Sequence, residues 1–435
     1  MNKGSQLRGR EHWAVAVVAA LALLGPVRVE AADQPSQPWS LDRSPVARQL
    51  KAFIAAKKDQ ARALAKADGT ELPPEFAVFF AAAARGDMGS VTNLLDALGQ
   101  RYPQIPGEPA WQPTLEVGGA LGVFANAGDA NSISFSKDVI ASIPPGSIFF
   151  GGTDWGRFLI TALSASQIHA DPFFTITPKS FGRMEMRSIS RKDNLGYLRS
   201  VYGQLIKIPS EQDVQRCFHD YLSEIEARQA AGQKISADEQ VTTEGGTIQV
   251  RGVQGVMNIN ARIAKLIFDE NPDREFYVEE SYVIPWMFPY LEPHRLILKL
   301  NRKPQAELDP AAIAKDRAFW DGLTSQLLAD PGFLNNKSTR SRYGKLRSAI
   351  GGVYSYRKLT DEAEYAFKQA IKLDPANPEA NFRLAQLYIT VNRVDDAIAV
   401  LKALQRLDPT EQKIQAALDQ LQSLKQSGPR NPEQR

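Results

Sequence analysis

Sulfur chemistry is nearly absent from this chain: one cysteine, Cys217, stands among 435 residues. A lone thiol closes no internal disulfide, so the fold rests on packing, and Cys217 reads as a small buried apolar residue rather than a nucleophile. Histidine is almost as scarce, with four in all. His169 (with Asp171 beside it), His219 and His294 offer no pair at the i, i+4 spacing of a helical zinc site, so neither metal nor cofactor is implied. Basic runs are missing too. Removing Lys3, Arg8, Arg10, Arg28, Glu11 and Glu30 with the leader described below takes totals of 52 basic and 49 acidic residues to 48 and 47. That balance excludes the electrostatic footprint of a nucleic-acid binder. No apolar run reaches the ~20 residues that span a bilayer.

What is present is an ordinary globular composition, 43% apolar and 23% charged, in a chain long enough for two or three domains. Residues 1–31 stand apart. A positive start at Lys3, Arg8 and Arg10 precedes the apolar stretch Trp13 to Gly25, and small residues follow near Ala31. This pattern reads as a secretory signal peptide, which predicts an extracytoplasmic mature protein; an uncleaved anchor is the alternative, for which the apolar stretch is short.

A polar, proline-bearing linker over 32–45 leads into a helical region, 46–130. There "VARQLKAFIAAKKDQARALAKA" and "PPEFAVFFAAAARGDMGSVTNLLDALGQ" space apolar residues at helical intervals and predict a helical hairpin. The run "WQPTLEVGGALGVFANAG" is ambiguous, because its glycines weaken a helix and its length disfavours one strand. Over 131–305 the texture changes. Short β-rich runs ("SIFF", "PFFTIT", "GTIQVRGV", "REFYVEESYVI", "RLILKL") alternate with helical patterns, which predicts an α/β domain, Rossmann-like, with a largely parallel sheet.

The last part, 306–425, holds a repeat of period 34, followed by a tail, 426–435. In the first copy, 344–377, Gly351, Tyr354, Ala363, Phe367, Ala370 and Pro375 recur in the second, 378–411, as Ala385, Tyr388, Ala397, Leu401, Leu404 and Pro409. Small residues at fixed places let two helices approach, aromatic and large apolar residues fill the space between them, and proline ends the second helix. The segment resembles the tetratricopeptide repeat, which implies an α-solenoid that binds a protein or peptide partner. Two copies are few to stand alone, so they are expected to lean on a neighbour such as "AKDRAFWDGLTSQLLAD", with "IQAALDQLQSLKQ" as a capping helix.

One loop looks like a site. In "IPPGSIFFGGTDWGRF" a buried strand ends in Gly151 and Gly152, with Thr153 or Asp154 capping the next helix and Arg157 in its first turn. The phosphate motifs with glycines followed by Lys-Ser or Lys-Thr, and G-x-G-x-x-G, are absent, and an acid repels phosphate, so a carbohydrate-like ligand fits the loop better. A helix cap and nothing more is the plain reading of Asp154. Glu279 and Glu280, adjacent on a strand, face opposite ways and form no acid and base pair. G-x-S-x-G is absent.

"IPPGSIFFGGTDWGRFLI" and the stretch Asn258 to Arg302 together resemble the soluble extracytoplasmic domain of bacterial membrane proteins related to protein O-mannosyltransferases. The matching residues are Gly152 and Asp154, Arg274 to Val278, Pro289 to Leu291 and Arg295 to Leu300. The resemblance covers about 135–305 and implies an envelope setting, without the multi-span domain that carries the chemistry there. The expected function is therefore an exported binding or scaffold protein. An enzyme or accessory subunit in glycan transfer, acting through Asp154, and a purely structural envelope protein are the alternatives.

Overall fold

The computed structural model describes residues 40–101, 110–127, 130–151, 156–164, 166–170, 172–177, 195–236, 238–244, 247–280 and 283–426. Its chain divides into two compact units, one within 34–306 and one within 307–435. The predicted leader, most of the linker and all but the first residue of the predicted tail lie outside the described residues.

The first unit opens with helices. α1 (Ala47–Ala67) buries Leu50, Phe53, Ile54, Ala61 and Leu64, a three-four spacing that keeps one stripe inward. α2 (Pro74–Arg85) starts on proline and stops at Gly86, whose φ of 71° suits a residue without Cβ. α3 (Met88–Arg101), α4 (Trp111–Ala127) and α5 (Ala130–Ala141) follow. The ambiguous run is thus one helix, α4, and its glycines are contact points. A Cβ on Gly118 would lie 2.6 Å from Leu95, and one on Gly119 would lie 2.5 Å from the Phe158 ring.

β1 (Ile148–Phe150) runs parallel to β2 (Phe174–Ile176) on one side and to β5 (Phe276–Val278) on the other. β7 (Ile297–Leu300) runs antiparallel to β5 and to β6 (Leu291–His294). The order is β2-β1-β5-β7-β6, so the expectation of a Rossmann-like, largely parallel sheet is corrected to a small mixed one. The cause is local: "RLILKL" returns through the turn Arg295-Leu296, with Arg295 at φ 54°, and not through a crossover helix. "GTIQVRGV" also leaves the main sheet; its strand β4 (Thr247–Arg251) pairs only with β3 (Gln240–Glu244) as a two-stranded ribbon.

Between the strands lie α6 (Gly156–Ser164), a single turn α7 (Ser166–His169), α8 (Leu195–Tyr202), α9 (Glu211–Ala230) and α10 (Val253–Glu270). α9 begins with a capping box, Ser210 Oγ accepting from the Asp213 N–H and the Ser210 N–H donating to Asp213. Leu159 and Ala162 of α6 join the apolar core of α1 to α5. The helical region and the sheet region therefore share one compact unit.

The second unit is helical. α11 (Pro310–Leu328) and a single turn at Pro331–Leu334 precede α12 (Lys337–Tyr356), α13 (Thr360–Leu373), α14 (Pro378–Thr390), α15 (Val394–Leu407) and α16 (Gln412–Gln426). The period of 34 is written in the backbone. Lys358 and Asn392, in the turns after α12 and α14, both have φ 61°. In each turn the next residue's N–H bonds back to a repeat tyrosine, Leu359 to Tyr354 O at 3.0 Å and Arg393 to Tyr388 O at 2.7 Å.

Candidate functional site

The repeat residues picked out by spacing sit between helices. Gly351 abuts the Phe367 ring, where a Cβ would lie 2.7 Å away. Ala363, Ala370, Ala385, Ala397, Leu401 and Leu404 are buried, while Pro375 and Pro409 are exposed two residues beyond the ends of α13 and α15. Tyr354 donates to Asp316 of α11 at 2.7 Å, and Tyr388 donates to Glu364 at 2.9 Å. Burial and the Asp316 charge push the Tyr354 phenol far up, so it stays a donor. Inside the unit, α11 thus supplies the neighbour that two repeats need: Asp316 also holds Arg347 of α12, beside the Trp320 ring.

With these residues turned inward, the surface on offer comes from the remaining faces of α12 and α14. Arg383 of α14 crosses to α12, donating to Ser348 O at 3.1 Å. Gly352 makes room for that guanidinium, since a Cβ there would lie 2.9 Å from its Nη1. One turn further along α12, Tyr356 is 51% exposed. Two helices joined side by side in this way present a polar strip with an aromatic end.

The loop after β1 is only partly on view. Gly151 is buried, its N–H donating to Ile176 O at 2.9 Å, and Thr175 and Thr177 methyls stand near it. Gly152, Thr153 and Asp154 lie outside the described residues, and of Arg157 only the backbone, within α6, is described. Glu279 arrives beside Gly151: it follows β5 directly, is buried, and its N–H donates to Phe150 O at 3.0 Å. Strand order reverses at this place. From β1 the chain goes out to β2 and returns on the other side as β5, so the carboxyl ends of β1 and β5 flank a topological switch point. Among the described residues no three metal-ligating side chains come together; His169 and His219 are exposed, and His294 stacks near Tyr277, ring centres 4.9 Å apart.

Sequence reasoning passed over a buried polar centre in the first unit. Lys57 of α1, wholly buried, forms an ion pair with Glu116 of α4 and donates to the Tyr197 hydroxyl of α8. Tyr197 donates to Glu116 at 2.8 Å, and Gln112 donates to its other oxygen at 3.2 Å. Burial lowers the pKa of Lys57, with the Glu116 charge opposing it; burial and then the Glu116 charge raise that of Tyr197. Two signals were legible in advance. Lys57 occupies an apolar position of the α1 stripe, and Glu116 is the sole charged residue of α4.

A search of curated proteins finds no match to the chain. A protein-family model described as tetratricopeptide repeat matches residues 357–421, and it covers none of 135–305, where the resemblance to the O-mannosyltransferase-related proteins was drawn. The matched stretch runs from the turn after α12 into α16, so the segment that carries the 34-residue backbone period is the one identified as tetratricopeptide repeats.

Proposed function

We propose that this protein is an exported scaffold whose repeat unit holds a protein or peptide partner on the α12 and α14 faces. The observation that carries the reading is the coincidence of the family match with the backbone period: helix pairs that bury their repeat residues against each other leave a continuous outer surface whose use is binding. No catalytic constellation competes with it among the described residues. Selection of random displayed peptides on the full chain tests the reading. Enriched peptides should lose affinity when Ser355, half-buried on α12 one turn beyond Gly352, is changed to Trp. Failure to enrich any peptide, or peptides indifferent to Ser355→Trp, would overturn it.

Export rests on the charged start and apolar stretch of residues 1–31. Amino-terminal sequencing of the protein from its host should begin near Ala32. Recovery of the intact amino terminus from the cytoplasm would count against export.

A second reading, a carbohydrate-like ligand in the first unit, draws support from the switch point at Gly151 and Glu279. It expects a panel of monosaccharides to raise the melting temperature, and Asp154→Ala or Glu279→Gln to cancel the rise without unfolding the apo protein. No shift with any sugar removes this reading and leaves the first intact.

A further inference from the structure

A strand at the rim of a sheet carries backbone donors and acceptors that a further strand can take, and folded chains usually blunt such rims. The main sheet of the first unit blunts both of its own. On β2 the Thr175 N–H donates to the Tyr202 hydroxyl of α8 at 3.1 Å, and the Thr175 carbonyl accepts from Gln167 Nε2 of α7 at 3.3 Å. On β6 the Leu291 N–H turns back to Phe288 O, and the next outward-facing residue is Pro293, which has no N–H to offer.

The β3–β4 ribbon is built otherwise. Glu244 stands opposite Thr247, so hydrogen-bonded pairs fall at Glu244–Thr247, Thr242–Gln249 and Gln240–Arg251. By the same alternation the N–H and C=O of Ile248 and Val250 point away from β3, and no hydrogen bond among the described residues takes them. Neither strand contains the proline or lysine that would blunt its rim. Val241, Ile248 and Val250 share one face of the ribbon, because partners across a ladder and residues two apart point the same way. Val250 is buried against α10, where a Cβ on Gly255 would lie 2.7 Å from it, but Val241 is 38% exposed and Ile248 40%. A two-stranded piece held so lightly is marginal in water until another strand joins.

We infer that β4 pairs edge to edge with β4 of a second copy of this chain, making a four-stranded antiparallel sheet. Register chooses the partner. The two outward-facing residues are two apart, so an antiparallel match about a two-fold axis at Gln249 sets each Ile248 opposite Val250 of the copy, and each such pair exchanges N–H···O bonds. Apolar meets apolar on the shared face, and Arg251 falls opposite Thr247 of the copy, so no charge meets its like. The rim of β3 is a poorer match, since an axis at Thr242 would set Val241 opposite Thr243 of the copy. A strand of another protein is the rival occupant; nothing in β4 selects one, whereas β4 read backwards answers itself at each position. The inference is independent of the repeat unit and of both readings above. Two five-residue strands make a small contact, so the dimer is weak and forms as concentration rises.

Sedimentation of the full chain over about 5–500 μM tests this, and the weight-average mass should climb from the monomer value toward twice it. Ile248→Pro removes an outward N–H without touching the β3 ladder, so it should weaken association about tenfold at an unchanged melting temperature. Val241→Pro, which does the same on the other rim, should leave association in place. A crosslink covers the case in which proline disturbs the ribbon. At a non-hydrogen-bonded pair on the axis the two residue-249 Cα atoms would stand about 4.5 Å apart, within disulfide reach. Gln249→Cys in a Cys217→Ala background should therefore give a covalent dimer under mild oxidation, and Thr242→Cys in the same background should not. A monomer at every concentration, a folded Ile248→Pro variant that associates like the wild type, no crosslink from Gln249→Cys, or an equally fast one from Thr242→Cys overturns the inference.

Discussion

Arg347 Nη1 lies 2.7 Å from Asp316 Oδ2 with each side chain about 1% exposed. The pair fastens α11 to α12. Tyr354 donates to the same oxygen, and Arg347 Nε donates to Gln369 at 2.8 Å, so each formal charge has company. Truncating Asp316 to Ala strands a buried guanidinium and should cost the repeat unit about 3–5 kcal/mol. The paired change Asp316→Leu with Arg347→Met, which removes both charges, should cost less than the single one. Urea-dependent hydrogen exchange over 310–356 reads this locally. A loss below 1 kcal/mol for Asp316→Ala would mean that the pair holds little.

Glu364 clasps one repeat to the next. It accepts from Lys368 at 2.6 Å within α13, from Tyr388 at 2.9 Å in α14 and from Arg393 at 2.6 Å before α15. Burial works against its charge, yet the three donors outweigh that and hold the carboxyl below its ordinary 4.5. A carboxylate with a depressed folded pKa stabilises above the unfolded value and loses that contribution as pH falls through the folded one. Unfolding measured from pH 7 downward should therefore show the wild-type repeat unit losing stability below about pH 4.5 more steeply than Glu364→Gln. Parallel curves would show that Glu364 contributes no pH dependence.

The repeats were legible because their period constrains many positions at once: Gly351, Ala363 and Phe367 must be small, small and large for α12 and α13 to meet, and the same demand returns after 34 residues at Ala385, Ala397 and Leu401. The main sheet was less so. β1, β2 and β5 are three residues each and buried on both faces, so they carry no alternation from which direction could be read. In α4, Gly118 and Gly119 looked like helix weakeners, and only the nearness of Leu95 and Phe158 explains them. At the candidate sites, the repeat scaffold was visible in the spacing, whereas it took the fold to show that two of the five cations of α12, Arg340 and Arg347, are tied to Leu373 and Asp316.

Lys358 and Asn392 share φ 61°, and only one of them suits it. Asparagine tolerates the left-handed region, while a lysine Cβ is crowded there. Lys358→Asn should stabilise the repeat unit by about 0.5–1 kcal/mol and Asn392→Lys should weaken it by a like amount. Thermal unfolding of the two variants decides the matter. Equal effects of the same sign would remove the strain argument.

Lys57 and Glu116 form a buried ion pair within the first unit. Taking two charges out of water costs more than an isolated ion pair returns, and here Tyr197 and Gln112 supply further hydrogen bonds to Glu116. Removing one partner exposes the cost. Glu116→Gln leaves an ammonium buried without its counter-charge and should destabilise by about 3–5 kcal/mol at pH 7, whereas Lys57→Met with Glu116→Gln should recover much of that loss. The pH dependence separates this from simple packing damage. Burial already sets the folded pKa of Lys57 below 10.5, and losing Glu116 lowers it further. Between the folded and unfolded values the unfolded chain binds more protons, so stability rises with pH there. The deficit of Glu116→Gln should accordingly narrow as pH climbs toward 10, in urea titrations run on both proteins at each pH. A deficit that stays constant across that window would place the damage in packing, and would remove the buried charge from the account of why α1, α4 and α8 meet as they do.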